Sequence, residues 1–134
     1  MVYFDTDVWI NSLVFQDETK HEEACLLVDT HRMGGSLLTS WLCIQEMAFV
    51  LGKLNQSPQI INRKLSQLSE SFPVVYGYDE TIRANELAYQ IGYKHFNDCL
   101  HVAIAEQHCT DLYTYNHADF IRLQRLTALN IHIL

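Results

Sequence analysis

Asp5, Glu46, Asp98 and Asp119 stand far apart in the chain, yet each falls at the end of an expected strand or on a helix able to face one edge of a sheet. Acids normally sit on solvated faces among other polar residues. Asp5 instead ends the apolar run Val2–Phe4, and Glu46 is the only charged residue between Arg32 and Lys53. Asp98 opens the apolar segment Cys99–Ala105, and Asp119 follows the strand-like Leu112–Thr114. Carboxylates gathered in one place repel: two charges about 4 Å apart cost roughly 4 kcal/mol at an effective dielectric near 20. Divalent cations held by oxygen ligands remove that repulsion. If the fold converges these residues, their chemistry is that of a metal site.

The elements that must do the converging alternate between strand and helix. Val2–Phe4 reads as a buried strand. Asp7 reads as the cap of a short helix carrying Val8, Trp9, Ile10 and Leu13. Glu18 to Arg32 reads as a second helix, stopped by Gly34-Gly35. Ser36–Thr39 is a strand candidate. Thr39 or Ser40 then caps a helix running to about Leu54, with Trp41, Ile44, Ala48, Leu51 and Leu54 at helical spacing. Pro58 starts a helix to about Ser71, and Pro73–Tyr76 reads as a further strand. Asp79 opens a helix to about Ile91, and Asn97 to His108 forms a strong one with Phe96, Leu100 and Ile104 in line. Asp111–Thr114 is a strand, a short helix lies near Ala118–Arg122, and Ile131–Ile133 is a last strand. The pattern predicts a three-layer α/β/α domain spanning residues 1–134, with a central parallel sheet of four to five strands. Sites in such sheets form outside the carboxyl ends of the strands, where Asp5, Asn116 and Asp119 fall. Asp98 lies in a first helical turn, where the helix dipole favours an acid.

Size and composition narrow the class. A chain of 134 residues, 49% apolar, suits one domain with a real core. The longest uncharged stretch, Met33 to Gln45, is too short to span a bilayer. The N-terminus reaches Asp5 almost at once, leaving no room for a signal-peptide apolar region, so a soluble, cytoplasmic protein is expected. Cys25, Cys43, Cys99 and Cys109 form no CxxC pair and read as free thiols rather than zinc ligands. The formal charge of −7 offers no global attraction for nucleic acid and suits a basic protein partner, although a bound metal reverses the local field. Seven histidines raise a zinc reading, with His95, Asp98 and His101 near one helix start, but no HExxH or clustered Cys/His spacing supports it. His101 reads instead as a core histidine or one behind the site. Phe4, Trp9, Phe15 and Trp41 read as core aromatics, with Trp9 an alternative surface residue.

Four segments, in this order, resemble the PIN-domain ribonucleases. They are Phe4-Asp5-Thr6-Asp7-Val8-Trp9-Ile10, Ser40-Trp41-Leu42-Cys43-Ile44-Gln45-Glu46, Asn97-Asp98-Cys99-Leu100-His101-Val102-Ala103-Ile104-Ala105 and Thr114-Tyr115-Asn116-His117-Ala118-Asp119-Phe120. The resemblance covers essentially the whole chain, and its size is most similar to VapC-type toxins of toxin–antitoxin pairs. In the family, position 7 is more often Asn than an acid. The resemblance implies that Asp5, Glu46, Asp98 and Asp119 bind one or two Mg²⁺ or Mn²⁺ ions, and leaves the fourth ligand open between Asn116 and Asp119. Thr114 and Thr6 correspond to hydroxyls that orient the site. A homodimer, an antitoxin that blocks the groove and an RNA substrate follow from the same resemblance. Lys53, Lys94, Arg122 and Arg125 are the candidate phosphate contacts. Two alternatives remain at this point: a non-catalytic PIN-like protein-binding module, and a DxD phosphatase in which Asp5 is the nucleophile, which leaves Glu46 unexplained.

Overall fold

A three-residue strand, β1 (Val2–Phe4), is buried along its whole length and lies inside the sheet, as a continuous apolar run demands. The computed structural model describes residues 1–134. β2 (Leu37–Leu38), β3 (Asp111–Thr114) and β4 (Asn130–Ile133) complete a parallel four-stranded sheet in the order β2-β1-β3-β4. Val2 pairs with both Leu37 and Asp111, and Phe4 with Tyr113, so β1 and β3 end side by side. The backbone N–H of Asp5 donates to Tyr113 O at 3.0 Å, which fixes the exit of β1 against β3.

Seven helices flank the sheet in a three-layer α/β/α arrangement: α1 (Thr6–Leu13), α2 (Glu18–Met33), α3 (Trp41–Lys53), α4 (Pro58–Ser69), α5 (Tyr78–Ile91), α6 (Phe96–His108) and α7 (His117–Leu123). α1 packs on α2 and α3, and α3 on α4; α5, α6 and α7 pack on one another. Local chemistry explains several boundaries. Asp17, Ser40 and Ser57 each accept a hydrogen bond from the helix they precede, and Pro58 sits in the first turn of α4, where no amide hydrogen is needed. Gly92 ends α5 at φ +112°, a conformation open in practice only to glycine, and turns the chain into the 3-10 turn Tyr93–His95 that precedes α6.

The core gathers Tyr3, Phe4, Trp9, Met47, Leu51, Leu87, Ile104, Leu112, Phe120 and Leu123, each contributing about 1.5–3 kcal/mol on full burial. α6 is buried at every residue from Cys99 to Ala105, including His101. No helix is long and apolar enough to cross a membrane.

Three sequence expectations need correction. Pro73–Tyr76 is not a sheet strand: only Val74 bridges, to Ser40, because Pro73 has no amide hydrogen to continue a ladder. Trp41 and Phe15 are exposed rather than core, at 43% and 67%; α3 buries Leu42, Cys43, Ile44, Met47 and Leu51 instead. Asp7 does not cap α1. Asp5 occupies the cap position, and Asp7 lies inside the first turn.

Gly92→Ala forces a side chain into that positive φ and is expected to cost about 1–3 kcal/mol of folding stability, read by denaturant unfolding. An unchanged midpoint would show that the turn relaxes freely.

Candidate metal centre

The paired ends of β1 and β3 place Asp5 and Thr114 side by side. Thr114 Oγ1 lies 2.8 Å from Asp5 Oδ2 and 3.2 Å from Asp7 Oδ2, so its one hydrogen favours Asp5. Thr6, immediately after Asp5, ties two acids together. Its amide donates to Asp5 Oδ1 at 2.7 Å, and its hydroxyl donates to Glu46 Oε2 at 2.5 Å. Glu46 is carried by α3, which Ser40 starts at the end of β2. Its Oε2 also receives His101 Nε2 at 2.7 Å, and its Oε1 receives Asn97 Nδ2 at 2.9 Å. Asp98, the next residue after Asn97, enters from the first turn of α6.

Asp5, Asp7, Glu46, Asp98 and Asn116 line one groove of about 710 Å³, together with Thr6, Asn97 and the apolar flank Ile10, Phe49 and Val50. Asp119 does not line it. Asp119 sits behind Asp98, where His95 Nδ1 is 3.0 Å away, Arg122 is 3.6 Å away and Asn116 Nδ2 donates at 3.0 Å. Asn116 also accepts from the Asp119 amide as the cap of α7. Two groups of possible ligand atoms result, Asp5–Glu46–His101 and His95–Asp98–Asp119, each set within 4.8 Å. Of the four expected cations none lines the groove. Lys53 lies over the Phe49 ring at 5.4 Å, at the groove's rim; Lys94 and Arg125 are exposed; Arg122 is engaged by Asp119 and by Ile91 O.

Protonation follows from this crowding. Burial and the neighbouring Asp5 push Asp98 up to about 8, aided by a hydrogen bond toward Asp119. Burial and Asp5 push Asp7 up to about 7. Burial also works against ionised Glu46 and Asp119, but it is outweighed. The hydrogen bond and charge of His101, with Thr6 and Asn97, hold Glu46 below its ordinary value. Asn116, Asp98, His95 and Arg122 do the same for Asp119. Burial opposes charge on His101, yet Tyr3, Asp5 and Glu46 together raise its proton affinity well above the usual imidazole range.

The donor set fits a hard divalent cation. Asp7 Oδ1 is buried with no hydrogen-bond partner, an unfavourable state for a carboxylate oxygen unless a proton or cation meets it. Its other oxygen is taken by the Tyr115 amide at 3.0 Å. Glu46 Oε1 and Asp5 Oδ2 each have one partner and a second lone pair free. Carboxylate oxygens of this kind select Mg²⁺ or Mn²⁺ over softer metals.

A family model described as PIN domain matches residues 2–126. The chain belongs to the PIN-domain family. Among solved structures, VapBC2 from Rickettsia felis, bound to a DNA fragment from their promoter, is similar over 100% of this chain and 99% of that chain, with a TM-score of 0.63 and 17% identity. At that identity the likeness is one of fold. No curated protein matches the chain. This PIN domain carries features the sequence reading missed. Asp7 joins the groove, and the signal was available: an acid two residues after Asp5, with Ile10 and Asn11 following on the same helix face. Asn97 gave no signal beyond its place before Asp98. His95, which the sequence offers only as a zinc ligand, instead pairs with Asp119.

Without a divalent cation, the folded chain holds a proton on Asp98 up to about pH 8, whereas an ordinary aspartate releases it near 3.8. That contribution to stability is therefore fully present below about pH 4 and is lost as pH rises through about 8. Asp98→Asn should raise the melting temperature of the metal-free protein at pH 8 by roughly 3 °C or more and change it little at pH 4. Equal shifts at both pH values would contradict this.

Proposed function

We propose that the protein is a metal-dependent endoribonuclease, the toxin of a type II toxin–antitoxin pair, acting in the cytoplasm as one PIN domain. The observation that carries this reading is the groove in which Asp5, Asp7, Glu46 and Asp98 meet, with one buried carboxylate oxygen unpartnered. Asp5, Asp7, Glu46 and Asp98 would hold Mg²⁺ or Mn²⁺, with Asn116 at the groove wall and Asp119 behind Asp98. A bound divalent ion supplies an activated water for phosphodiester hydrolysis and charge stabilisation of the departing oxygen.

The chain's own residues do the remainder. Thr6 and Thr114 fix the rotamers of Asp5 and Glu46 by the hydrogen bonds described above. Asn116, by its bonds to Asp119, keeps that acid turned toward His95. Phe49, 68% exposed on the groove's flank, offers a face on which a base can stack. Lys53 at the rim, with Lys94, Arg122 and Arg125 farther out, supplies phosphate contacts along the backbone of the RNA. A cognate antitoxin, as the VapBC2 likeness suggests, would cover this groove, and a homodimer is the expected assembly. The DxD phosphatase reading has less support, because it leaves Glu46 and its three donors without a task.

Purified protein, free of antitoxin, should cut RNA from a total cellular pool with Mn²⁺ and not with EDTA. Asp5→Asn and Asp98→Asn should each abolish cutting while leaving a folded chain, a larger effect than the roughly 10–100-fold typical of losing an outer partner of a metal ligand. Metal binding without cutting of any RNA would favour the non-catalytic binding module.

A further inference from the structure

α6 presents seven consecutive buried residues, and only His101 among them carries polar side-chain atoms that need two partners. A polar group in such a place must be hydrogen-bonded, and both ring nitrogens are. Nε2 meets Glu46 at 2.7 Å and lies 3.5 Å from Asp5 Oδ1. Nδ1 meets the Tyr3 hydroxyl at 2.8 Å. That hydroxyl in turn meets Ser40 Oγ at 2.6 Å, and Ser40 Oγ receives the Cys43 amide at 3.2 Å as the cap of α3. Tyr3, Ser40 and Cys43 are fully buried. The path leaves α3 at Ser40, crosses β1 at Tyr3 and α6 at His101, and returns to α3 at Glu46. It is a closed loop of hydrogen bonds through three elements, and it fixes α3 at two points, at Ser40 against β1 and at Glu46 against α6.

We infer that His101, held from behind by Tyr3, is the positioning residue that aims Glu46 into the groove, with Ser40 anchoring the far end of the loop. This rests on the metal-centre reading above and extends it to residues that touch no substrate. The two ring nitrogens have separate tasks: Nε2 orients the carboxylate, and Nδ1 orients the ring. A carboxylate on a helix has free rotamers. With Nε2 and the Thr6 hydroxyl both on Oε2, Glu46 keeps one rotamer and leaves the outer lone pair of Oε1 for a cation.

The two tasks separate in two substitutions of similar size. His101→Gln keeps an N–H donor near the Nε2 position, whereas His101→Asn keeps a donor near Nδ1 and none toward Glu46. Mn²⁺ affinity, measured calorimetrically alongside the melting temperature of the metal-free chain, distinguishes them. His101→Asn should weaken Mn²⁺ binding roughly 10–100-fold, and His101→Gln should stay within about threefold of wild type, at similar melting temperatures. Should either variant unfold, Tyr3→Phe removes only the hydroxyl that anchors the ring and should weaken Mn²⁺ binding at least about threefold. Wild-type affinity in His101→Asn or in Tyr3→Phe, or equal losses in the Asn and Gln variants, would overturn the positioning role alone. No Mn²⁺ binding by the wild type would overturn this role and the metal-centre reading together.

Discussion

Mutual repulsion among carboxylates gathered at the ends of β1, β2 and β3 is the constraint to which the rest of the structure answers. Each acid is given its own relief. Glu46 has His101, Thr6 and Asn97; Asp5 has Thr6 and Thr114; Asp119 has His95, Arg122 and Asn116. Asp98 and Asp7 are relieved by protons instead: burial first, and then the nearby Asp5, raises their pKa values to about 8 and about 7. Asp7 lines the groove, and its buried Oδ1 has no hydrogen-bond partner within the protein. A protein selected only for stability would replace such a cluster with apolar side chains of similar volume. Keeping it argues for a ligand that the acids bind.

The sheet makes the convergence possible. In a parallel arrangement, every strand delivers its carboxyl end to the same edge, and the β1–β3 register sets Phe4 opposite Tyr113. Residues 5 and 114 become neighbours as a result. The helices that start at this edge, α1, α3, α6 and α7, then carry Asp7, Glu46, Asp98 and Asp119 within one or two turns of it. The buried loop through Tyr3, Ser40 and His101 ties α3 and α6 to β1, so these helices cannot rotate independently of the strand that ends in Asp5.

Much of this was legible in the sequence for a physical reason. Apolar runs such as Val2–Phe4 and Cys99–Ala105 make an acid at their edge conspicuous, and alternation of strand and helix fixes where strand ends point. What was hidden depended on register. Asp7 looked like a cap because caps and first-turn acids differ by two residues, and only the position of Asp5 decides between them. Trp41 looked buried because it sits one position ahead of the face that α3 turns inward, starting with Leu42. Pro73–Tyr76 carries β-branched residues, yet its one bridge through Val74 shows the missing amide of Pro73 outweighing propensity. The division of labour between Asn116 in the groove and Asp119 behind it could not be read from spacing, since both follow β3 within five residues.

The most direct test of a cation site is the number of protons released when Mn²⁺ binds, obtained by titration calorimetry at pH 7 in buffers of different ionisation enthalpy. Carboxylates must be ionised to ligate, and burial together with Asp5 makes Asp98 and Asp7 hold their protons to higher pH than ordinary aspartates. The structure predicts saturable binding accompanied by net release of protons. No binding at all would contradict the cation site, and binding without proton release would contradict the protonated Asp98 and Asp7.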